Sequence, residues 1–177
     1  MQLETLPALA GLARLRDLRP VVIIDTREQT PLTFTRLPSR VGTLTTGDYS
    51  VAGLEDEFGV ERKSLDDLAA CCVGENRARF FRELARLRGM RFKRLLIVGE
   101  RLAIMGKRYR SHIEPKSVLA TLATIEARFD VPVVHAANPG EAAELIERWA
   151  WYYAREAVET CNDLLRATEA EAPAAET

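Results

Sequence analysis

The order of hydrophobic and polar residues predicts strands that alternate with helices. Val21–Ile24 is a continuous apolar run, of the kind found in a strand buried on both faces. Arg94–Val98 and Val131–His135 predict two further strands. Between these two, a helix is predicted from Pro115 to about Phe129, because proline suits a first helical turn. This alternation indicates an α/β fold.

A β-hairpin is predicted in the first third of the chain. Its parts are a strand rich in Thr, Tyr and Val, a turn and a returning strand: Thr43–Val51, Gly53–Glu57 and Phe58–Lys63. Successive strand side chains alternate between faces, so Glu61 and Lys63 share one face and Arg62 points to the other. Asp48 is expected roughly opposite Glu61 and Lys63 across the hairpin.

Three further helical segments complete the predicted order. A helix is expected from about Ser64, with an interruption at Gly74–Asn76. It resumes as an amphipathic helix over Arg77–Leu87. A last helix begins at Asn138–Glu141, which supplies an N-cap, a proline at the first turn and an acid at N3.

The predicted domain covers residues 19–160. Before it, leucines at every third position predict a leader helix over residues 1–18. After it, residues 161–177 form an acidic tail, which is expected to be disordered because Ala and Glu dominate its end.

Composition is that of a soluble globular protein inside the cell, in the cytoplasm if the source is a prokaryote or a virus. Of 177 residues, 47% are hydrophobic and 29% are charged. No apolar run approaches the roughly 18 residues of a membrane span. The N-terminal segment lacks the basic start of a signal peptide.

Charge is distributed unevenly although the net charge is only −1. The segment from Arg77 to Arg110 has twelve basic and two acidic residues, a net charge of +10. This distribution is typical of a surface that binds the DNA backbone. The alternative is a solvated basic helix and loop. The candidate DNA-binding residues are Arg77, Arg79, Arg82, Arg86, Lys107, Arg108 and Arg110.

The hairpin and the end of the first strand carry the residue types of a divalent-metal site. Mg²⁺ prefers carboxylate oxygens and keeps several waters, so Asp48 and Glu61 are candidate ligands, with Asp25 as a third ligand or a supporting acid. Lys63 would orient a water or neutralise charge on a phosphate. The guanidinium groups of Arg27 and Arg62 suit phosphate oxygens. The alternative is a plain surface ladder of charged pairs.

At these residues the chain resembles the nuclease domain of the XPF family of structure-specific DNA endonucleases. The family pattern G-D-X(n)-E-R-K-X-X-X-D matches Gly47-Asp48, Glu61-Arg62-Lys63 and Asp67, and the preceding D-x-R-E element matches Asp25–Glu28. The resemblance covers roughly residues 20–160.

The resemblance implies a restriction-endonuclease-like fold with a central mixed sheet. It also implies dependence on Mg²⁺ or Mn²⁺, cleavage beside branches, flaps or forks in duplex DNA, and a role in DNA repair and recombination. By motif position, Asp48, Glu61 and Lys63 carry over as the core of the catalytic site. The supporting residues are Asp25, Arg27, Arg62 and Asp67.

Two departures from the family pattern qualify the resemblance. Glu83 stands where family members commonly carry Gln. Nothing after Thr160 has the length of the tandem helix-hairpin-helix modules with which family enzymes grip DNA. The DNA affinity and branch selectivity of the chain alone are therefore not predicted. A partner protein that supplies such a module is an alternative.

The last predicted helix is crowded with aromatic residues: Trp149, Trp151, Tyr152 and Tyr153. The resemblance implies pairing of nuclease domains through their late helices, and aromatic residues are enriched at interface cores, so a homodimer is predicted. The alternative is that these side chains pack on the sheet.

Two other function classes are alternatives to an active endonuclease. A non-catalytic DNA-binding or partner subunit would not require Asp48, Glu61 and Lys63 together. A nucleotide-binding enzyme of the doubly wound type would require a glycine-rich phosphate loop, and the chain has neither G-x-G-x-x-G nor G-x-x-x-x-G-K-[ST].

Overall fold

A computed structural model describes residues 18–170 as an α/β domain, with side chains described to residue 168. The strands are β1 (Val22–Asp25), β2 (Ser39–Gly42), β3 (Tyr49–Val51), β4 (Phe58–Ser64), β5 (Phe92–Val98) and β6 (Val133–Ala136). The helices are α1 (Leu65–Ala70), α2 (Gly74–Leu87), α3 (Arg101–Met105), α4 (Pro115–Phe129) and α5 (Pro139–Ala170). The predicted α/β class is confirmed.

The described strands form one mixed sheet in the order β2-β1-β3-β4-β5-β6. β3 pairs antiparallel with both β1 and β4, and the other neighbouring strands are parallel. The carboxyl ends of β1, β4, β5 and β6 therefore lie at one edge of the sheet, beside the start of β3. We call this edge the carboxyl edge.

The predicted hairpin is present as β3 and β4, with Tyr49 opposite Val60. Its first strand is shorter than predicted, because the turn at Thr46–Gly47 ends the pairing. Strand β2 and helix α3 were not predicted. β2 has the sequence Ser-Arg-Val-Gly and is mostly exposed, so it lacks the apolar alternation that marks a half-buried strand.

Hydrophobic side chains cover both faces of the sheet. Strand β5 shows the division, because Leu95 and Ile97 contribute to one core cluster and Leu96 to the other. The first cluster contains α1, α2 and α4, and the second contains α5. The sheet is thus held between two helical layers, which fixes the strand ends at the carboxyl edge.

Local signals in the sequence set the ends of the helices. Ser64 caps α1 by accepting a hydrogen bond from the amide of Asp67 at 3.1 Å. α4 begins at Pro115 as predicted and stops at Asp130, which has a φ of 52°. Asn138 caps α5, with its Oδ1 accepting from the Glu141 amide at 3.0 Å.

Gly99 marks the close approach of β5 to α1. It follows the last residue of β5 and has a φ of 146°, which L side chains rarely adopt. A Cβ at this position would overlap the side chain of Leu65, the first residue of α1. The glycine therefore allows α1 to begin immediately after β4.

The two predicted end segments have different outcomes. The leader helix over residues 1–18 falls on residues outside the described part of the chain, apart from Leu18. The predicted disorder of residues 161–177 is wrong for residues 161–170, where α5 continues to Ala170. Strong helix formers and the 3% exposed Asn162 keep this part helical, and residues 171–177 lie outside the described residues. Within the described part, no helix has the length and apolar character needed to cross a membrane.

The aromatic residues of α5 pack mainly on the domain itself. Trp149 and Tyr153 surround Phe92, with ring centroids 5.9 and 5.7 Å away. Trp151 also packs against the second cluster, whereas Tyr152 is 59% exposed. This supports the alternative of packing on the sheet for three of the four rings. The homodimer stays a prediction.

Candidate active site

Asp48 is held between the two strands that contribute the other predicted acids. Its amide donates to the carbonyl of Val60 in β4, and its carbonyl accepts from the amide of Asp25 in β1, both at 2.9 Å. The preceding Gly47 has a φ of 79°, and a Cβ there would lie 3.2 Å from the Val60 carbonyl oxygen. Glycine therefore permits the close turn that brings Asp48 beside Glu61.

Asp48, Glu61 and Lys63 line one cavity of about 160 Å³, here named the Asp48 cavity. Its other lining residues are Arg27, Thr46, Gly47, Glu83 and Arg86. Glu61 and Lys63 share a face of β4, as predicted from the strand alternation, and the Lys63 ammonium donates a hydrogen bond to Glu61 Oε1. The sequence motif therefore forms a continuous polar surface.

The two carboxylates of the Asp48 cavity are in an environment that disfavours their joint ionisation. Burial, followed by the charge of Glu61, raises the pKa of Asp48 to about 7. Burial also raises the pKa of Glu61, against the opposing effect of Lys63. A positive charge brought between them would stabilise both ionised forms.

Lys63 is a charged donor and not a base. Burial acts to lower its pKa, but the charge of Glu61 and the hydrogen bond to Glu61 outweigh burial and raise the pKa above its ordinary value. Its ammonium also lies 5.2 Å from the centre of the Phe80 ring. At neutral pH, Lys63 therefore supplies positive charge at a fixed position.

Asp25 lies beside Asp48 but faces three N–H donors. Oδ1 accepts from the amide of Arg27 at 2.9 Å and from Arg27 Nε at 2.6 Å, and Oδ2 accepts from the amide of Leu44 at 2.7 Å. Burial acts to raise the pKa of Asp25, yet the hydrogen bonds from Arg27 and Leu44 lower it overall. Asp25 thus holds Arg27 at the wall of the Asp48 cavity.

Arg62 points away from the Asp48 cavity, on the face predicted from the strand pattern. Its guanidinium donates to Glu28 at 2.8 and 3.1 Å and to Thr30 Oγ1 at 2.6 Å. Its amide donates to Asp48 Oδ2 at 2.7 Å. The side chains of Arg62 and Glu28 are only 12% and 6% exposed, so this ion pair fixes the loop after β1.

Asp67 lies in the first turn of α1. Its carboxylate accepts a hydrogen bond from Ser64 Oγ at 2.6 Å. It lines a second cavity that also reaches Asp48, Lys63 and Arg62. Asp67 is thus close to the carboxyl edge but outside the lining of the Asp48 cavity.

The predicted basic residues divide into two groups. Arg79, Arg82 and Arg86 follow one stripe of α2, and Arg86 reaches the Asp48 cavity, while Arg77 lies 4.2 Å from the centre of the Phe81 ring. Lys107, Arg108 and Arg110 follow α3. Lys107 pairs with Glu114 at 2.7 Å, and Arg110 pairs with Asp66 in α1 at 2.9 Å.

Three residues at the site were not predicted as functional. Glu28 stands within the D-x-R-E element, so the motif itself contained the signal for it. Thr46 directly precedes Gly47, and Glu83 was noted only as a departure from the family pattern. Both line the Asp48 cavity because of tertiary packing, which no local pattern reveals. Among residues 18–170, no three acidic, His or Cys side chains are grouped closely enough to hold a metal ion.

Solved structures with this fold include XPF from Aeropyrum pernix. The structure in complex with DNA matches with a TM-score of 0.61 and 23% identity, over 78% of this chain and 66% of that one. A second structure of XPF from Aeropyrum pernix matches with a TM-score of 0.60 and 21% identity, over 88% of this chain and 75% of that one. The chain thus spans about two thirds to three quarters of these proteins. The fold is that of the XPF nuclease domain.

Residues 24–148 match the family model of the ERCC4 domain. The chain therefore belongs to the ERCC4 domain family, which confirms the predicted XPF-type nuclease domain. A search of curated proteins found no match.

Proposed function

We propose that this protein is a metal-dependent endonuclease that hydrolyses phosphodiester bonds in branched, flap or fork DNA. The observation that carries the proposal is the convergence of Asp48, Glu61 and Lys63 on one cavity. Membership of the ERCC4 domain family and the fold shared with XPF, one structure of which is a complex with DNA, support it.

The donor chemistry of the Asp48 cavity fits Mg²⁺ or Mn²⁺. Asp48 and Glu61 would hold the ion, because a hard divalent cation is commonly bound by one or two carboxylates and keeps several waters. The raised pKa values of these two acids support this, because a bound cation would stabilise their ionised forms. The metal, when bound, would activate a water and offset charge on the leaving group.

The other residues of the site would position the phosphate. Lys63 would donate a hydrogen bond to a phosphate oxygen, since its raised pKa keeps it protonated. Arg27 and Arg86 line the same cavity and would bind further phosphate oxygens through their guanidinium groups. Asp25, with all its contacts directed to Arg27 and Leu44, would support Arg27 and not act as a direct ligand.

Arg62 and Asp67 would support the edge of the site. Arg62 would hold the loop after β1 through Glu28, and Asp67 would help fix the start of α1. The basic residues of α2 and those after α3 would bind the DNA backbone on either side of the cut. Affinity should therefore decrease steeply with salt.

The test is cleavage of labelled duplex, flap and fork DNA with Mg²⁺ or Mn²⁺. The wild type is compared with Asp48→Ala and with Asp56→Ala, a matched control in the turn between β3 and β4. Cuts near the branch that disappear only in Asp48→Ala are expected. Binding without cutting by the wild type would contradict catalysis and favour a non-catalytic subunit.

We also propose a homodimer that forms through the late helices. Tyr152 and Leu164 of α5 are 59% and 66% exposed, and both could be covered by a second copy. Light scattering at tens of micromolar should give twice the mass of 19.8 kDa. A monomer at that concentration would contradict the proposal.

A further inference from the structure

A second basic surface lies on the side of β2, away from the predicted basic helix. It begins in a cavity of about 330 Å³, here named the Trp151 cavity. The lining residues are Arg19, Arg36, Leu37, Glu147, Arg148 and Trp151. These residues come from three distant parts of the chain, so no local pattern of charge predicted the cavity.

Glu147, the one acid among the described lining residues of the Trp151 cavity, is bound by backbone amides. Glu147 is 3% exposed, and its Oε1 accepts hydrogen bonds from the amides of residues 35, 36 and 37 at 2.8, 2.6 and 3.0 Å. The carboxylate therefore fixes the chain just before β2 and places the Arg36 side chain beside the cavity.

The arginines of the cavity have little competition for their donors. Arg36 approaches Glu144 only at 3.7 Å. Arg19 donates to the neighbouring carbonyl of Leu18, and Arg148 has no hydrogen bond or ion pair with any described residue. The cavity thus presents three guanidinium groups, which match the oxygens of a phosphate.

Strand β2 joins the Trp151 cavity to the carboxyl edge. Among the described strands, β2 is at one margin of the sheet and pairs only with β1. Midway, the exposed Arg40 extends toward Gly42, with Nη1 3.8 Å from the point where a Cβ on Gly42 would stand. The Gly42 carbonyl in turn accepts from the amide of Thr26, next to Arg27.

The segment that contains β2 carries no acidic side chain of its own, and the path along it has a defined length. No acidic residue occurs between Glu28 and Asp48. Gly42 lies six positions after Arg36, which is about 20 Å at the rise of a strand. At 3.4 Å per nucleotide along one strand of a duplex, this corresponds to about six base pairs.

We propose that this arginine path binds backbone phosphates of one duplex arm of the DNA, leading from the cut toward the Trp151 cavity. The proposal rests on the proposed function and adds an arm-length requirement of about six base pairs. Charge complementarity and continuity with Arg27 at the Asp48 cavity identify DNA, and not an added protein strand, as the occupant of this margin.

The test is the affinity for flap DNA whose duplex arms are shortened one at a time from twelve to four base pairs. Fluorescence anisotropy in EDTA measures binding without cleavage. For the wild type, shortening one arm should weaken binding about tenfold, as expected when one or two phosphate contacts are lost. For the double variant Arg36→Ala and Arg148→Ala, the affinities for the twelve- and four-base-pair arms should differ less than twofold. In the double variant, log affinity should also fall less steeply with log salt concentration, with a slope smaller in magnitude by about 2 than that of the wild type.

Arg166→Ala is the matched control, because Arg166 is an exposed arginine on the same helix whose ion pair is with Asp163. It should keep the wild-type dependence on arm length. An equal dependence in the double variant would overturn the proposal. Binding is measured without metal and is therefore independent of cleavage. A protein that never cleaves DNA but keeps the dependence on arm length would contradict the proposed nuclease function and leave the arginine path supported.

A second measurement separates a DNA phosphate from a free anion. The chain has two tryptophans, so Trp149→Phe leaves Trp151 as the single fluorescent indole. Its emission should respond to the long-arm DNA and not to inorganic phosphate at millimolar concentration. Saturation by inorganic phosphate alone would identify a small-anion site and overturn the assignment to a DNA arm.

Discussion

The end of β1 and the start of β3 lie side by side, yet they treat their carboxylates in opposite ways. At the end of β1, Asp25 receives three N–H donors and its pKa is lowered in spite of burial. At the start of β3, Asp48 receives one amide donor and faces Glu61, and its pKa is raised to about 7. The first acid stabilises the fold, whereas the second holds unfavourable charge that a ligand can relieve.

Asp25 and Asp48 show that equal residue types in one motif can have different environments and different roles. An acid that already accepts three N–H groups, as Asp25 does, has little capacity left for a metal ion. An acid that lacks such donors has that capacity, at a cost to the free energy of folding.

Asp48→Asn should reduce cleavage by about 10³-fold or more, since the proposed metal ligand is lost. The same substitution should raise the melting temperature of the metal-free protein at pH 8, because a buried negative charge is removed. Initial cleavage rates and thermal denaturation in EDTA check the two effects together. A lower melting temperature in the variant would contradict the assignment of an unfavourable buried charge to Asp48.

Asp25→Asn should have the opposite effect on stability. The substitution removes a charged acceptor of three N–H groups and should lower the free energy of unfolding by about 3 kcal/mol. Denaturation by urea measures this change, and Asp56→Ala serves as the exposed control. A change below about 0.5 kcal/mol, the usual range for surface substitutions, would refute the structural role of Asp25.

The pH dependence of the metal-free protein should reflect both acids. The pKa of Asp48 is about 7 when folded and 3.8 in its unperturbed state, so unfolding releases a proton between these values. Stability from Asp48 should therefore fall by about 1 to 3 kcal/mol as the pH rises from 4 to 7. Asp25 has a lowered pKa, so its contribution is complete above pH 4 and is lost on further acidification.

Melting temperatures in EDTA at pH 5 and pH 8 measure this dependence. The increase in melting temperature caused by Asp48→Asn should be larger at pH 8 than at pH 5. Addition of Mg²⁺ at pH 8 should raise the melting temperature of the wild type and not that of the variant. An equal gain at both pH values would show that Asp48 does not titrate in this range.

Glu28→Gln should give the smallest effect. It weakens the buried pair with Arg62 but keeps one carbonyl oxygen as an acceptor, so a loss of about 1 to 2 kcal/mol in stability is expected. Cleavage should fall by less than tenfold, because Glu28 supports the site without lining the Asp48 cavity. Loss of activity as large as that of Asp48→Asn would instead place Glu28 among the catalytic residues.

Local patterns were sufficient to predict much of this fold. Helix α4 begins at Pro115 and ends at Phe129 as predicted, because a proline and a left-handed residue mark its ends. The alternation of Glu61, Arg62 and Lys63 gave the correct faces, since the period of a strand is fixed. Strand β2 was missed because its pairing with β1, and not its own sequence, makes it a strand.

The different roles of Asp25 and Asp48 could not be predicted for a related reason. Both acids fit a metal site by type and motif position. The donors that distinguish them are mainly backbone amides, and the amide of Leu44 reaches Asp25 only through the tertiary fold. The Trp151 cavity is equally hidden, because Arg19, Arg36 and Arg148 are far apart along the chain.

The close approach at Gly99 has a consequence for reading mutational scans. Any side chain there would displace Leu65 and with it the start of α1, two residues after Lys63. A screen scored on nuclease activity would therefore rank Gly99 with the catalytic residues, although it touches no part of the Asp48 cavity. Abundance scores from the same library would separate the two classes, because Asp48 variants would be depleted only in activity and Gly99 variants in both.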